Sequence, residues 1–136
     1  MRDREEMLAL AFAARKNAYA PYSGFAVGAA LEAGSGKVYL GINIENAAYS
    51  VTNCAERTAL FAAVAAGERE FSQIAVVGGK RGEAADEICA PCGVCRQALN
   101  EFCGADFLIH MGTQSGERKT CTLSELLPLA FGKDNL

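Results

Sequence analysis

Cysteines stand at positions 54, 92 and 95, each at the start of a stretch with helical character. If their sulfurs serve one ion, two helix N-termini far apart in the chain must meet at one point. Cys92 and Cys95 are three apart, so both sulfurs can face that point from the start of a helix that Pro91 introduces. Cys54 and Glu56 are two apart, and residues so spaced do not share a face of a regular helix. The spacing works only at a helix terminus, with Cys54 aimed along the axis and Glu56 bent back from the first turn. Unpaired N–H groups and the helix dipole favour thiolates there. The only histidine, His110, lies in an apolar run, so the natural ligand set is all cysteine. A catalytic zinc takes three protein ligands and leaves a fourth position for water, whereas a structural zinc takes four. Three thiolates on Zn²⁺ leave a net charge of −1 and a weakened Lewis acid. Arg57 is placed to offset this as a second layer around the metal, by donating hydrogen bonds to a cysteine sulfur. Glu56 is placed to move protons to and from the water.

The rest of the sequence narrows the function classes. At 136 residues the chain is expected to form one domain, 1–136. Thirteen Lys and Arg against sixteen Asp and Glu give a formal charge of −3, with no basic surface for nucleic acid. The opening Met1-Arg2-Asp3-Arg4-Glu5-Glu6 is too charged for a secretory signal, and no apolar run reaches membrane-spanning length. The expectation is a cytoplasmic protein with no membrane partner, in which six cysteines point to metal or catalysis rather than disulfides.

Apolar spacing predicts an amphipathic helix from Arg2 to about Ala18, ended by Pro21-Tyr22-Ser23-Gly24. A β-hairpin follows, with alternation from Phe25 to Leu31, a turn at Gly34-Ser35-Gly36, and a strand from Lys37 to Asn43. Cys54 to Ala66 reads as a buried helix stopped by Gly67, and Gln73 to Val77 as a short strand. Cys92 to Phe102 is a second helix and Asp106 to Met111 another strand. Thr122-Leu123-Ser124-Glu125 has the form of a capping box opening a helix that Pro128 limits. This order predicts an α/β fold, a three-layer α/β/α sandwich around a mixed sheet of about five strands.

Cys54-Ala55-Glu56 followed by Pro91-Cys92-x-x-Cys95 fits the signature of zinc nucleobase deaminases, in which Cys can replace the first His. Over nearly its whole length the chain also resembles the homotetrameric cytidine deaminases. The matching stretches are Ala20-Pro21-Tyr22-Ser23-x-Phe25-x-Val27-Gly28-Ala29-Ala30, Asn43-Ile44-Glu45-Asn46-Ala47, Cys54-Ala55-Glu56-Arg57-Thr58-Ala59, Pro91-Cys92-Gly93-x-Cys95-Arg96-Gln97 and Leu126-Leu127-Pro128-x-x-Phe131. The resemblance implies hydrolytic deamination of cytidine and deoxycytidine to the uridines in pyrimidine salvage, with one zinc per chain on Cys54, Cys92 and Cys95. Glu56 would take a proton from the water, deliver it to N3 of the base, and later help protonate the departing amino group. Asn43 and Glu45 would bind the ribose hydroxyls, Phe25 would pack on the base, and the Ala55 N–H would meet the pyrimidine carbonyl. Phe131 would reach a neighbouring subunit's site, with Tyr22 and Tyr49 near subunit contacts, so that active sites would be completed by the homotetramer. Position 42 is Ile where the family often has Cys, and position 90 is Ala where Ser is usual.

Plainer readings stand beside these. Glu56 at the third helical position after an Asn53 N-cap can be part of a capping arrangement. Cys89-x-x-Cys92-x-x-Cys95 opens like an iron–sulfur run, although Leu99 stands where its next cysteine belongs. Cys103, Cys121 and His110 read as structural. The competing functions are a deaminase of a modified cytosine nucleoside such as blasticidin S, and a non-catalytic zinc or iron–sulfur module. Glu56 separates the latter from an enzyme, because a structural site has no use for a carboxylate beside an open coordination position.

Overall fold

In the computed structural model, which describes residues 1–136, the first helix, α1, covers Arg4–Arg15. Asp3 caps it by accepting from the Glu6 N–H, and Glu6 reaches back to the Asp3 N–H. This reciprocal cap fixes the start two residues later than apolar spacing alone places it. The sheet begins with β1 (Phe25–Ala33), which pairs antiparallel with β2 (Val38–Ile42) on one side and β3 (Phe71–Lys80) on the other. β3 runs parallel to β4 (Leu108–Gly112), and β5 (Arg118–Thr122) closes the far edge antiparallel to β4. The order is therefore β2-β1-β3-β4-β5. A parallel neighbour requires a crossover, which α3 (Gly93–Phe102) supplies.

Side-chain alternation along the strands makes the layers. Ala30, Ala75 and Val77 point to one face and are sealed by Met7, Leu8 and Ala11 of α1. Ala29, Leu31, Ile74, Val76, Ile109 and Met111 point to the other, against Ala59, Leu60 and Ala63 of α2 (Ala55–Ala65) and Leu99 of α3. The expected α/β/α sandwich of five mixed strands is thus the observed one. Its layers are close. A Cβ on Gly28 would stand on Ala11 O and 2.6 Å from Arg15 N, and one on Gly41 would stand on Ala55 O and 2.7 Å from Ala59 N. Glycine at those two positions lets α1 and α2 touch the sheet backbone itself.

Four elements depart from the sequence-based expectation. β5 was not expected, since Arg118-Lys119-Thr120-Cys121-Thr122 buries only Cys121. β3 runs on through Gly78 and Gly79 to Lys80, where antiparallel pairing with Phe25 and Ala26 outweighs the weak strand preference of glycine. The cap of α2 is Cys54, not Asn53: Asn53 turns its amide to Thr58 Oγ1 at 3.1 Å, and Glu56 falls at the second helical position. The capping role considered for Glu56 is therefore not the one it has. The Thr122–Glu125 capping box forms, but the helix it opens, α4, is the single turn Leu123–Leu126.

Candidate active site

The two crossover helices, α2 and α3, begin at the same place. Cys54 is the residue before α2 and Cys92 the residue before α3, each with extended backbone and neither accepting a side-chain cap bond. Their sulfurs lie 3.8 Å apart. With Cys95, one turn into α3 and fully buried, the three Sγ atoms lie within 4.8 Å of one another. Cysteine ligands at about 2.3 Å around a tetrahedral ion are separated by about 3.8 Å, so the site fits zinc as it stands. The charge fits as well. Arg57 Nη2 donates to Cys54 Sγ at 3.3 Å, and Arg57 Nε is buried without a partner, so a guanidinium is held against the sulfurs. Bonding from Cys95 outweighs burial and, with Arg57 and Cys92, pulls Cys54 down to about 5, a thiolate at neutral pH. Cys95, which donates to Cys54 and is desolvated, is pushed up. Cys89 lies outside the group, and burial pushes its thiol up to about 11. Leu99, where an iron–sulfur run needs its next ligand, is core, and with Cys89 apart the iron–sulfur arrangement does not form.

Glu56 is 4% exposed beside this cluster, on the first turn of α2. Burial, reinforced by the Cys54 charge, pushes its carboxyl up to about 7. It lines a cavity of about 380 Å³ together with Phe25, Val27, Asn43, Glu45, Cys54, Ala55, Cys89 and Cys92. The size suits a nucleoside-class ligand. A hollow of about 500 Å³ between the end of α3 and the C-terminal tail is larger, but holds none of these groups. Ala55 is the first residue of α2, and its N–H is among the donors that a helix start leaves without an internal acceptor.

At the far end of the cavity Asn43 and Glu45 follow β2. Asn43 is bound to the β1 backbone, accepting from Val27 N at 2.9 Å and donating to Phe25 O at 2.8 Å. Glu45 Oε1 accepts from Tyr22 N at 2.9 Å and Ser23 N at 3.0 Å, and Oε2 accepts from Ser23 Oγ. The Ser23 hydroxyl and amide hold this carboxyl below the usual range. Ser23 and Val27 line the cavity although the sequence alone attaches no role to them. The only signal for Ser23 was its place in Ala20-Pro21-Tyr22-Ser23. The structure thus gathers Phe25, Asn43, Glu45, Cys54, Ala55, Glu56 and Cys92 around one cavity, with Cys95 and Arg57 behind it. Tyr49 is not in that lining; it meets the Tyr22 ring edge-on at 6.2 Å, beside Glu45 in an adjoining hollow. Phe131 is not there either. Its carbonyl accepts from Gln97 and Asn100 of α3 while the residue stays 61% exposed.

Three sulfurs are one ligand short of a structural zinc site, and a buried protonatable carboxyl in the same cavity is the arrangement of zinc-dependent hydrolytic deaminases. Similarity to known proteins sharpens this class. Residues 1–111 match the model of the cytidine and deoxycytidylate deaminase zinc-binding region, and the chain belongs to that family. It is 47% identical over 134 residues to the cytidine deaminase of Sporosarcina psychrophila, covering 98% of this chain and 95% of that one. The crystal structure of the cytidine deaminase of Burkholderia pseudomallei superposes with a TM-score of 0.87 at 46% identity, over 96% of this chain and all of that one. Blasticidin-S deaminase of Bacillus cereus is more distant, 31% identical over 112 residues and 79% and 78% of the two chains.

Proposed function

We propose that this chain catalyses the zinc-dependent hydrolytic deamination of cytidine and 2′-deoxycytidine, replacing the amino group at C4 by oxygen and releasing ammonia. The observation that carries the proposal is Glu56, a buried carboxyl pushed up to about 7 that shares one cavity with Cys54 and Cys92 of a three-cysteine cluster. A closed structural module would need a fourth ligand and would gain nothing from burying this group.

Cys54, Cys92 and Cys95 would hold the ion, which supplies a Lewis acid able to make water nucleophilic near neutral pH. Glu56 exchanges protons at that pH: it accepts one from the water and delivers it to N3 of the base, then takes the second from the new C4 hydroxyl and passes it to N4, which leaves as ammonia as C4 becomes a carbonyl. The Phe25 ring packs on the base and the Ala55 N–H donates to the C2 carbonyl. Asn43 and Glu45 bind the sugar hydroxyls. Arg57 withdraws charge from Cys54 and keeps the thiolate set from quenching the metal. The stronger likeness to cytidine deaminases favours cytidine over blasticidin S as substrate.

The same reading takes 1–136 as one deaminase domain working in pyrimidine salvage in the cytoplasm, as a homotetramer whose sites borrow Phe131 and Tyr49 from neighbours. Supporting it, Phe25 in the cavity wall and Tyr22 and Tyr49 in the adjoining hollow are exposed aromatics, and the exposed Phe131 is fixed to α3 by its backbone. No helix is long and apolar enough to cross a membrane.

Replacing Glu56→Gln tests the assignment. The variant is expected to keep one zinc per chain while ammonia release from cytidine falls by about a hundredfold to ten-thousandfold. Turnover at the wild-type rate in the zinc-loaded variant would reject it.

A further inference from the structure

We propose that Ser23 is a positioning residue for the sugar of the substrate: its hydroxyl ties the Glu45 carboxylate to the first residue of β1, setting the sugar acceptor and the base-packing ring in one frame. The inference rests on the reading that Glu45 binds a sugar hydroxyl.

The direction of the hydroxyl is fixed by its neighbours. Phe25 N donates to Ser23 Oγ at 3.0 Å, which occupies the oxygen as an acceptor and leaves its single proton for Glu45 Oε2. The carboxylate is then held by three donors, with Tyr22 N and Ser23 N on its other oxygen. An ionised carboxylate offers about four acceptor positions, so about one remains, and its direction is set because the other three are taken. The loop is shaped for this. Gly24 has φ of 68° and donates to Ala20 O at 3.0 Å, a turn that lets the Tyr22 and Ser23 amides converge on one oxygen. Glu45 is held from the other side by its own N–H, which donates to Tyr19 O at 2.9 Å. Asn43 also grips Phe25, through the carbonyl, so both proposed sugar-binding residues are keyed to the residue that packs on the base.

Removing the hydroxyl frees the second carboxylate oxygen and unpairs Phe25 N, while the zinc cluster and Glu56 stay as they are. Such a residue acts on binding rather than on the chemical step, so its loss appears in KM and not in kcat. The experiment is a double-mutant cycle on the zinc-loaded enzyme with cytidine, using Ser23→Ala, Ser23→Thr, Glu45→Ala and the Ser23→Ala/Glu45→Ala pair. Ser23→Ala is expected to raise KM by about five- to tenfold with kcat within about twofold, and Ser23→Thr, which keeps the hydroxyl, to restore KM. In the Glu45→Ala background the same change is expected to alter KM by less than about twofold. An unchanged KM in Ser23→Ala, a loss confined to kcat, or the same factor with and without Glu45 would overturn the inference alone. A Glu45→Ala enzyme with wild-type KM would overturn the sugar reading of Glu45, and this inference with it.

Discussion

Arg57 is a cation held against sulfur, with Nη2 3.3 Å from Cys54 and Nε buried and unpaired. Burial opposes its charge, but the bonds to Cys54 and Cys95 outweigh that and keep it protonated. Arg57→Ala leaves the three ligands in place and removes the withdrawal of charge from them. We expect zinc to be retained near one per chain while kcat falls by about ten- to a hundredfold, checked by metal analysis beside ammonia release. Retained zinc with unchanged kcat would reduce Arg57 to a packing residue. This contact was legible in the sequence because it is local: Arg57 follows Cys54 by three positions at a helix start. The helix cap was misread for the opposite reason. Asn is a far better N-cap than Cys by propensity, yet the geometry that brings Cys54 to Cys92 and Cys95 puts the cysteine there and turns Asn53 toward Thr58. Ser23 was not legible, because its partner Glu45 lies 22 residues away and nothing in the spacing of the two signals a bond.

The site exists only if α2 and α3 arrive together, so the contacts that seat α2 control it. The tightest is at Gly41 of β2, where an added methyl would meet Ala55 O and stand 2.7 Å from Ala59 N and 2.9 Å from Ala59 Cβ. Neither neighbour is a flexible chain end, so Gly41→Ala must lift the first two turns of α2 from the sheet. The expected cost is about 3 kcal/mol in urea unfolding of the zinc-loaded protein, with weaker zinc retention because Cys54 caps that helix. Gly93→Ala is the control: no atom lies within 4 Å of its added Cβ, at the start of α3, and stability should not fall. The helices were legible from their apolar spacing and the hairpin from its glycine turn. β5 was not, because an edge strand with one buried side chain carries no alternation to read. β3 was read short, since Gly78-Gly79 looks like a break until Phe25 and Ala26 are known to lie opposite.

Across the whole sheet, the order β2-β1-β3-β4-β5 was beyond the sequence because no local pattern states which strands are neighbours. It is the order that brings a row of polar side chains together on the α1 side, at Glu32, Gln73, His110 and Thr120. Gln73 Nε2 donates to Glu32 Oε1 and to Arg2 O, both at 2.7 Å, so its oxygen accepts from His110 Nε2 at 2.8 Å and His110 Nδ1 accepts from Thr120 Oγ1 at 2.9 Å. The row therefore fixes the proton on Nε2 in the neutral ring, with Thr120 as donor to Nδ1. Burial, with the Arg4 charge behind it, holds the ring below the ordinary histidine range. The unfolded chain takes up a proton near pH 6.5 that the folded chain resists, so stability is complete above that pH and falls as pH drops from about 6.5 toward the folded value. Burial pushes Glu32 up, but the bonds from Gln73 and Arg2 outweigh it and hold its carboxyl low, so its contribution is lost only at still lower pH. The histidine share is isolated by comparing zinc-loaded wild type with zinc-loaded His110→Gln, since every other group titrates alike in both. Between pH 7 and 5.5 the wild type should lose unfolding free energy more steeply than the variant, by at most about 1.4 kcal/mol per pH unit, read from urea midpoints. Parallel curves for the two proteins would mean that His110 takes up its proton equally in both states and that burial does not hold it neutral.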